Sequence, residues 1–410
     1  MQERLRFVRE PGPWLWLALA LGAALRVYLL VFTEGTFDVA IKLHHGTQVG
    51  RLGLLEYYRQ AQVFNHPPLM GEWFAALARL AAATDVPFRL LLRTPFALLD
   101  LGSALLLLRL LRDCSQRYAI FAAYWLHPLA AIYSAYHGNT DSAVAFFALL
   151  AVWLASDAGA SPPAAAGASR PGAAGAALGV GLWIKLPVLV AAPALFFAFP
   201  AWRERWRFAA AAAGVGLAGY LPLVALEPQL LFERIVAYPG SGVETPRGIP
   251  IWGIAQVLGL AGTRAAELLA EFNTLVCWAP ILTFAWLRRG RLAPRELGAS
   301  VCGSFLILYG LTSFWAWQYL AWSVPFWFFL GWRFAALATL LLGGYVYGAY
   351  ALFTGSPWLL GRWDFVHHGP WPMLLDVLRA ASVLLCLFSA GVLFVRAARA
   401  SRDRARERAA

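Results

Sequence analysis

Asp38 belongs to a short stretch rich in ionisable side chains that directly follows a long apolar run. Residues 35–46 read GTFDVAIKLHHG and hold one carboxylate, one ammonium and two imidazoles. A carboxylate at a membrane interface is partly desolvated, which would raise its pKa toward the range of a useful general base. Asp38 is therefore the candidate catalytic base, although an interfacial acid can also merely mark the end of a helix.

A second polar group follows in the stretch HGNTDS at 137–142, which is expected at the outer mouth between two membrane spans. His137, Asn139 and Asp141 there are candidates for a sugar or acceptor pocket. Asn139 or Asp141 can instead simply cap the following helix. His66 is assigned to the same pocket; it precedes two prolines that cannot continue a helix, so it can equally be a helix-end hydrogen-bonding residue.

Lys185 is the most informative cation, because a lysine in an apolar run is costly in hydrocarbon. Pro187 follows it closely and predicts a break in the helix at this point. The ammonium could bind a phosphate as a point charge, or it could snorkel to the interface. Arg89 and Arg93 lie at the outer end of another expected span and could bind the same phosphate through bidentate hydrogen bonds.

Aromatic residues gather late in the chain, in TSFWAWQYLAWSVPFWFF at 312–329. Gln318 and Tyr319 form a polar pair in this segment, which would suit a sugar face or a lipid stem. An aromatic belt at the membrane interface is the alternative interpretation. The outer segment WDFVHHGPW at 363–371 contains two adjacent histidines, His367 and His368, but no third ligand at helical spacing, so it predicts no metal site.

The composition indicates the elements that must position these residues. Hydrophobic residues make up 60% of the 410 residues and charged residues only 14%, too little polar surface for a soluble protein of this size. The sequence therefore predicts an all-α, polytopic transmembrane helix bundle. The net charge of +12 could suggest a nucleic-acid partner, but the basic residues fall in short clusters between apolar runs, as the positive-inside rule requires. No nucleic-acid partner is expected.

Using the arginine clusters as cytoplasmic markers predicts about twelve spans, with both termini cytoplasmic and the polar groups at the outer face of a plasma membrane, most simply a bacterial inner membrane. The expected spans are 13–33, 88–110, 118–136, 139–156, 173–186, 187–200, 207–227, 266–287, 297–315, 319–332, 334–353 and 373–396. Segment 68–84 is short and carries Glu72 and Arg79, so it is expected to be an interfacial or re-entrant helix. One domain is expected over 1–410, with a catalytic module at 1–230 that includes the first outer loop 34–87, and variable helices at 231–410.

Five motifs in order resemble the GT-C superfamily of membrane glycosyltransferases, most closely the mannosyltransferases that depend on polyprenyl-phosphate-mannose. They are an Asp after the first span, GLLEY with HPPL in the first outer loop, HGNTDS at the start of a span, WIKLP at a broken helix, and QYLAWSVP late in the chain. The resemblance covers about residues 30 to 330.

The resemblance implies that a hexose, with mannose favoured, is moved from a polyprenyl-phosphate donor to a hydroxyl of a lipid-linked or cell-envelope acceptor, with inversion at the anomeric carbon. On that basis Asp38 would be the base, and Lys185, with Arg89 or Arg93, would hold the donor phosphate. Asn139 and Asp141 would shape the sugar pocket, and Gln318 and Tyr319 would lie near the lipid groove.

No cofactor is expected, since the first loop contains no adjacent Asp–Asp or Asp–Glu pair to hold a divalent metal. The four cysteines are far apart and show no CxxC pattern, so neither a zinc site nor a disulfide framework is predicted. Two other classes stay open at this point. A polytopic transporter or lipid flippase would also use a lysine at a broken helix, and a noncatalytic assembly subunit is the third possibility.

Overall fold

The fold is known from a computed structural model that describes residues 11–156, 170–238, 244–245, 247–290, 292–364 and 370–409. These residues form helices and no β-strand. The first half contains α1 (Pro13–Phe32), α2 (Phe37–Leu52), α3 (Leu54–Gln60), α4 (Pro68–Thr84), α5 (Phe88–Leu110), α6 (Arg117–Trp125), α7 (Pro128–Ala131), a π-helix (Ile132–Tyr136), α8 (Asp141–Ala155), α9 (Pro171–Leu182), a 3-10 helix (Leu186–Ala191), α10 (Ala192–Ala198) and α11 (Trp202–Ala218).

The second half contains shorter helices before the long final one. They are α12 (Leu221–Leu226), α13 (Pro228–Leu231), a π-helix (Phe232–Val236), α14 (Ile254–Val257), α15 (Arg264–Glu271), α16 (Asn273–Leu287), α17 (Pro294–Leu311), 3-10 helices (Trp317–Trp322 and Val324–Phe326), α18 (Trp327–Leu330), α19 (Trp332–Ala338), a π-helix (Thr339–Gly343), α20 (Gly344–Thr354) and α21 (Met373–Ala409).

Four helical segments among the described residues are long and apolar enough to cross a membrane, or up to six if each of two bent pairs is one span. The four are Pro13–Phe32, Phe88–Leu110, Trp332–Thr354 and Met373–Glu407. The prediction of an all-helical chain is confirmed for the described residues, and four to six of its helical segments have the length and apolar composition of membrane spans; the expectation of about twelve spans is not confirmed. Several expected spans are divided into pieces too short to cross about 30 Å of hydrocarbon, as at 173–200, where α9 has 12 residues and α10 has 7.

The segment 34–87, which the sequence predicts as the first outer loop, is largely helical. Helix α4 occupies the range predicted for an interfacial helix, and it packs closely against α2. Gly46 permits this approach, because a Cβ at that position would collide with the backbone of Phe74 on α4. The tight α2–α4 pair fixes the direction of the N-terminal end of α2, where Asp38 lies.

A buried ion pair joins α1 to α5. Arg26 Nε lies 3.0 Å from Asp100 Oδ2, and the guanidinium lies 3.6 Å from the ring centre of Trp125. Ser134, on the π-helix, also donates to Asp100, at 3.3 Å. Both charges are buried, so removing one partner would leave an uncompensated charge at a cost of about 3–5 kcal/mol. The network therefore anchors the π-helix that leads to residues 137–140.

The chain bends by 118° between Pro128–Tyr136 and Asp141–Ala155. Gly138 has a φ of +78° at this bend, a conformation that glycine adopts without strain. The bend projects His137 and Asn139 toward the N-terminal end of α2. π-Helical turns frequently accompany functional sites, because they re-aim the residues that follow them.

Candidate active site

Asp38 lies in the first turn of α2, and its position is fixed by the residue that begins the helix. The Thr36 hydroxyl accepts a hydrogen bond from the Asp38 backbone N–H at 3.3 Å. The same hydroxyl donates to the carbonyl of His137 at 2.6 Å. One side chain thus caps α2 and ties it to the 137–140 bend, which is why two distant parts of the sequence meet here.

The two oxygens of the Asp38 carboxylate have different surroundings. Three donors converge on Oδ2: Asn139 Nδ2 at 2.6 Å, Lys42 Nζ at 3.2 Å and His137 Nε2 at 3.2 Å. Oδ1 accepts no hydrogen bond from any residue that the structure describes. The side chain is 29% exposed, so this second oxygen is open to a ligand. The carboxylate is oriented through one oxygen and available through the other.

The groups around Asp38 change the expectation that its pKa is raised. Burial alone would raise the pKa of this carboxyl, as predicted, but Lys42 and His137 outweigh that effect and hold the pKa well below its usual value. The prediction of a raised pKa was wrong, because it considered desolvation without the ammonium one helical turn away. Asp38 is consequently ionised throughout the neutral range.

His137 connects Asp38 to helix α20, which belongs to the candidate membrane span Trp332–Thr354. Its Nδ1 is hydrogen bonded to the hydroxyl of Tyr350, and its Nε2 faces Asp38. A neutral ring that donates from Nε2 to the carboxylate must accept at Nδ1, and the tyrosine hydroxyl can donate there. Tyr350, His137 and Asp38 form a continuous hydrogen-bond chain in which the imidazole orientation is fixed at both nitrogens.

Lys185 lies at the predicted helix break. Helix α9 ends at Leu182, and Lys185 is extended, with φ −165° and ψ 133°, before the 3-10 turn that contains Pro187. The break prediction is confirmed. The extended residue directs its ammonium to Asp141, with Nζ at 2.8 Å from Oδ1 and 2.9 Å from Oδ2.

Asp141 is almost fully buried, and it receives a third hydrogen bond from Trp322 Nε1 at 2.6 Å. The Lys185 ammonium lies 5.7 Å from the ring centre of Tyr319 and 6.0 Å from that of Trp322, close enough for cation–π attraction. The rings of Tyr319 and Trp322 are themselves stacked, with centres 4.4 Å apart. The lysine therefore lies between a carboxylate and an aromatic wall.

The two Asp–Lys pairs belong to one site. Asn139, which binds Asp38, is separated from Asp141 by one residue, and the charges of both Lys185 and Asp141 act on Lys42. The structure thus brings together five of the sequence-predicted residues, namely Asp38, His137, Asn139, Asp141 and Lys185. Tyr319 joins them through its contact with Lys185, and Gln318 lies beside it on the same 3-10 turn, partly exposed.

His66 borders the same region from the connection between α3 and α4. Its ring packs edge-on against Phe74 at 5.2 Å and against His45 at 5.9 Å. Burial, with the positive charge of Lys42, holds the pKa of His66 well below its usual value. Burial also lowers the pKa of His45, to about 4, and His45 Nδ1 lies 2.6 Å from the Tyr57 hydroxyl. Both rings are neutral at physiological pH.

Arg93 is not placed to bind a ligand. Its guanidinium carries five N–H groups, and it makes five hydrogen bonds, of which four go to the carbonyls of Arg89, Leu30, Thr33 and Tyr136 and one to the Thr33 hydroxyl. Arg89 instead forms an ion pair with Glu34, with Nη1 3.5 Å from Oε1. Arg93 thus has a structural role, joining the end of α1 to the 137–140 bend.

In the described part of the chain, no three or more His, Cys, Asp or Glu side chains lie close enough together to hold a metal ion. The four cysteines all lie in described segments and are unpaired, as the sequence predicts. His367 and His368 lie outside the described residues.

Three contributors to the site were not assigned from the sequence: Lys42, Trp322 and Tyr350. The i, i+4 spacing of Asp38 and Lys42 predicts that the two side chains meet on one helix face, so this signal was available. Trp322 and Tyr350 reach the site from helices more than 180 residues away. Trp322 lies within the QYLAWSVP motif, but the motif does not indicate its contact with Asp141, and Tyr350 lies in no motif.

Comparison with known proteins gives no relative: no protein-family model, no curated protein and no solved structure matches this chain.

Proposed function

We propose that this protein is a membrane glycosyltransferase that moves a hexose, with mannose favoured, from a polyprenyl-phosphate-sugar donor to a hydroxyl group of a lipid-linked or cell-envelope acceptor. The observation that supports it most directly is the asymmetric Asp38 carboxylate, oriented by three donors at Oδ2 and open at Oδ1. A general base needs this combination of fixed orientation and a free lone pair.

In the proposed step the acceptor hydroxyl donates its proton to Asp38 Oδ1 while its oxygen attacks the anomeric carbon. The bond between that carbon and the phosphate oxygen breaks on the opposite face, and the lipid phosphate leaves with the electron pair, so the configuration inverts. Lys185 would neutralise the charge that develops on the leaving phosphate, acting as a preorganised cation in a site of low dielectric constant.

The aromatic wall beside Lys185 supports a sugar or lipid substrate. Tyr319, which is partly exposed and stacked on the buried Trp322, presents a flat apolar face next to a cation. Such a face suits the C–H side of a sugar ring or the first isoprene unit of a lipid stem. We propose no metal cofactor, because a single lipid phosphate leaving group can be neutralised by one or two ammonium groups.

The proposal places the site at the outer face of the membrane, with both termini cytoplasmic, and assigns the chain to the GT-C group. The support is the order of the five motifs together with the arginine clusters in the sequence. The helical first loop between α1 and α5, which carries Asp38, Lys42 and His66, agrees with a substrate-binding loop on one side of the bilayer.

Purified protein incubated with a panel of polyprenyl-phosphate sugars and extracted membrane lipids tests this proposal. We expect one sugar to appear on a lipid or glycan acceptor, detected by mass spectrometry, with an inverted anomeric configuration and release of polyprenyl phosphate. Absence of a product with every sugar in the panel would refute it.

The alternative is a transporter or lipid flippase, favoured by the position of Lys185 at a broken helix. Reconstituted vesicles distinguish the two. Sugar-lipid movement across the bilayer without a covalent product would support the flippase, and covalent transfer without net movement would support the enzyme.

A further inference from the structure

Lys42 has fewer hydrogen-bond acceptors than a buried ammonium requires. Its side chain is 2% exposed, and it carries three N–H donors. The acceptor it has among the residues that the structure describes is Asp38 Oδ2, at 3.2 Å. A buried charged group with unused donors is costly unless a ligand completes its hydrogen bonds. Burial lowers the pKa of Lys42; Asp38 opposes this shift, and the nearby charge of Lys185 adds to it.

A second cation faces the same space. Lys185 is held by Asp141, but its side chain remains 19% exposed, so it can also contact a ligand. The two ammonium groups repel each other across the site, and no carboxylate that the structure describes bridges them. The site therefore holds two ammonium groups with no shared anionic partner among the described residues, and an anion that contacts both would relieve their repulsion.

We propose that Lys42 and Lys185 together bind one phosphate group, with a phosphate oxygen on each ammonium. The inference rests on the proposed function for the identity of the ligand, a lipid monophosphate ester. It replaces Arg93, whose guanidinium is fully hydrogen bonded, and Arg89, whose guanidinium faces Glu34, with a residue that the sequence analysis did not assign.

The position of Lys42 has a consequence for catalysis. The ammonium that would bind the phosphate is also a hydrogen-bond donor to Asp38. A phosphate oxygen that hydrogen bonds to Lys42 competes with Asp38 for the ammonium. This competition weakens the stabilisation of the ionised carboxylate and makes Asp38 a stronger base. Donor binding would in this way prepare the base, so that Asp38 is most basic when a sugar is present to receive the acceptor.

The test measures binding rather than turnover. Farnesyl phosphate, farnesol and inorganic phosphate are each titrated against the full-length protein in detergent, and bound ligand is measured by native mass spectrometry. We expect the wild type to bind farnesyl phosphate much more tightly than farnesol. Lys42→Met should weaken farnesyl phosphate binding about 10- to 100-fold, the loss expected for one hydrogen bond to a charged group.

The controls separate loss of the ligand from loss of the fold. Arg51→Met removes an exposed cation from the same helix and should leave the affinity unchanged. Asp38→Asn frees Lys42 from its carboxylate, so it should bind farnesyl phosphate at least as tightly as the wild type, and Asp38→Asn/Lys42→Met should bind as weakly as Lys42→Met. The double variant has no uncompensated charge in this pair, which protects its folding.

Unchanged affinity in a folded Lys42→Met variant would overturn the proposal, even if sugar transfer were observed. Weakened binding in this variant would support it, even if no sugar in the panel were transferred and the proposed function failed. Inorganic phosphate that binds as tightly as farnesyl phosphate and depends on Lys42 would support the two-lysine site with a soluble phosphate as its ligand. Farnesol binding equal to that of farnesyl phosphate would exclude a phosphate site.

Discussion

Substituting one or the other member of the Asp141–Lys185 pair should lower the free energy of unfolding by different amounts. Asp141 is 1% exposed and has two partners, Lys185 and Trp322. Lys185→Met leaves this carboxylate buried with the indole N–H alone, at an expected cost of about 3–5 kcal/mol in the free energy of unfolding. Asp141→Asn should cost less, about 1–2 kcal/mol, because the lysine is partly exposed and can turn toward water, while the asparagine oxygen still accepts from Trp322.

The double variant Asp141→Asn/Lys185→Met removes both charges and should be more stable than Lys185→Met alone. The coupling energy should be about 2 kcal/mol or more. Unfolding by sodium dodecyl sulfate in mixed micelles, followed by the helical circular-dichroism signal, measures all three variants. Arg264→Met is the control, since it breaks an exposed pair with Glu267 and should change nothing measurable. Additive effects of the two single substitutions would refute a direct buried pair.

Two further predictions concern residues around the site. The pKa of His45 is 6.5 in the unfolded chain and about 4 in the folded protein, so the unfolded chain binds more protons between these pH values. The contribution of His45 to the free energy of unfolding should therefore fall by up to about 3 kcal/mol as the pH drops from about 7 to 4. His45→Gln should flatten that slope in a pH series of unfolding measurements, and an unchanged slope would contradict the assignment. Arg93→Met should destabilise the protein by more than about 3 kcal/mol, because the carbonyls of Tyr136, Leu30 and Thr33 would lose their donor. Farnesyl phosphate binding by the folded fraction should be unchanged. A selective loss of binding would show that Arg93 belongs to the phosphate site.

Local chemistry explains which parts of the site are predictable from the sequence. Pro187 removes a backbone donor and clashes with the preceding turn, so the helix break beside Lys185 follows from residue types alone. The charge pattern around Asp38 was also visible, but its effect on the pKa depended on the distance to Lys42, which only the helix geometry supplies.

The membrane threading was less predictable, because its criterion was an apolar run bounded by arginine clusters taken as cytoplasmic markers. Apolar stretches such as 173–200 satisfy that criterion, yet they fold as short helices and 3-10 turns around the site. The contacts of long-range partners have no sequence signal. Trp322 lies in the QYLAWSVP motif and Tyr350 in an apolar run, but their polar atoms gain a role only when tertiary packing brings them to Asp141 and His137.

The central claim is that Asp38 accepts the proton of an acceptor hydroxyl. Its most direct test compares the wild type with Asp38→Asn in the transfer of sugar from polyprenyl-phosphate-mannose to extracted lipids, with donor binding measured in parallel. The account predicts that Asp38→Asn still binds the donor but transfers sugar about 100- to 10,000-fold more slowly, the usual contribution of a general base. Transfer by Asp38→Asn at a rate close to that of the wild type would contradict it.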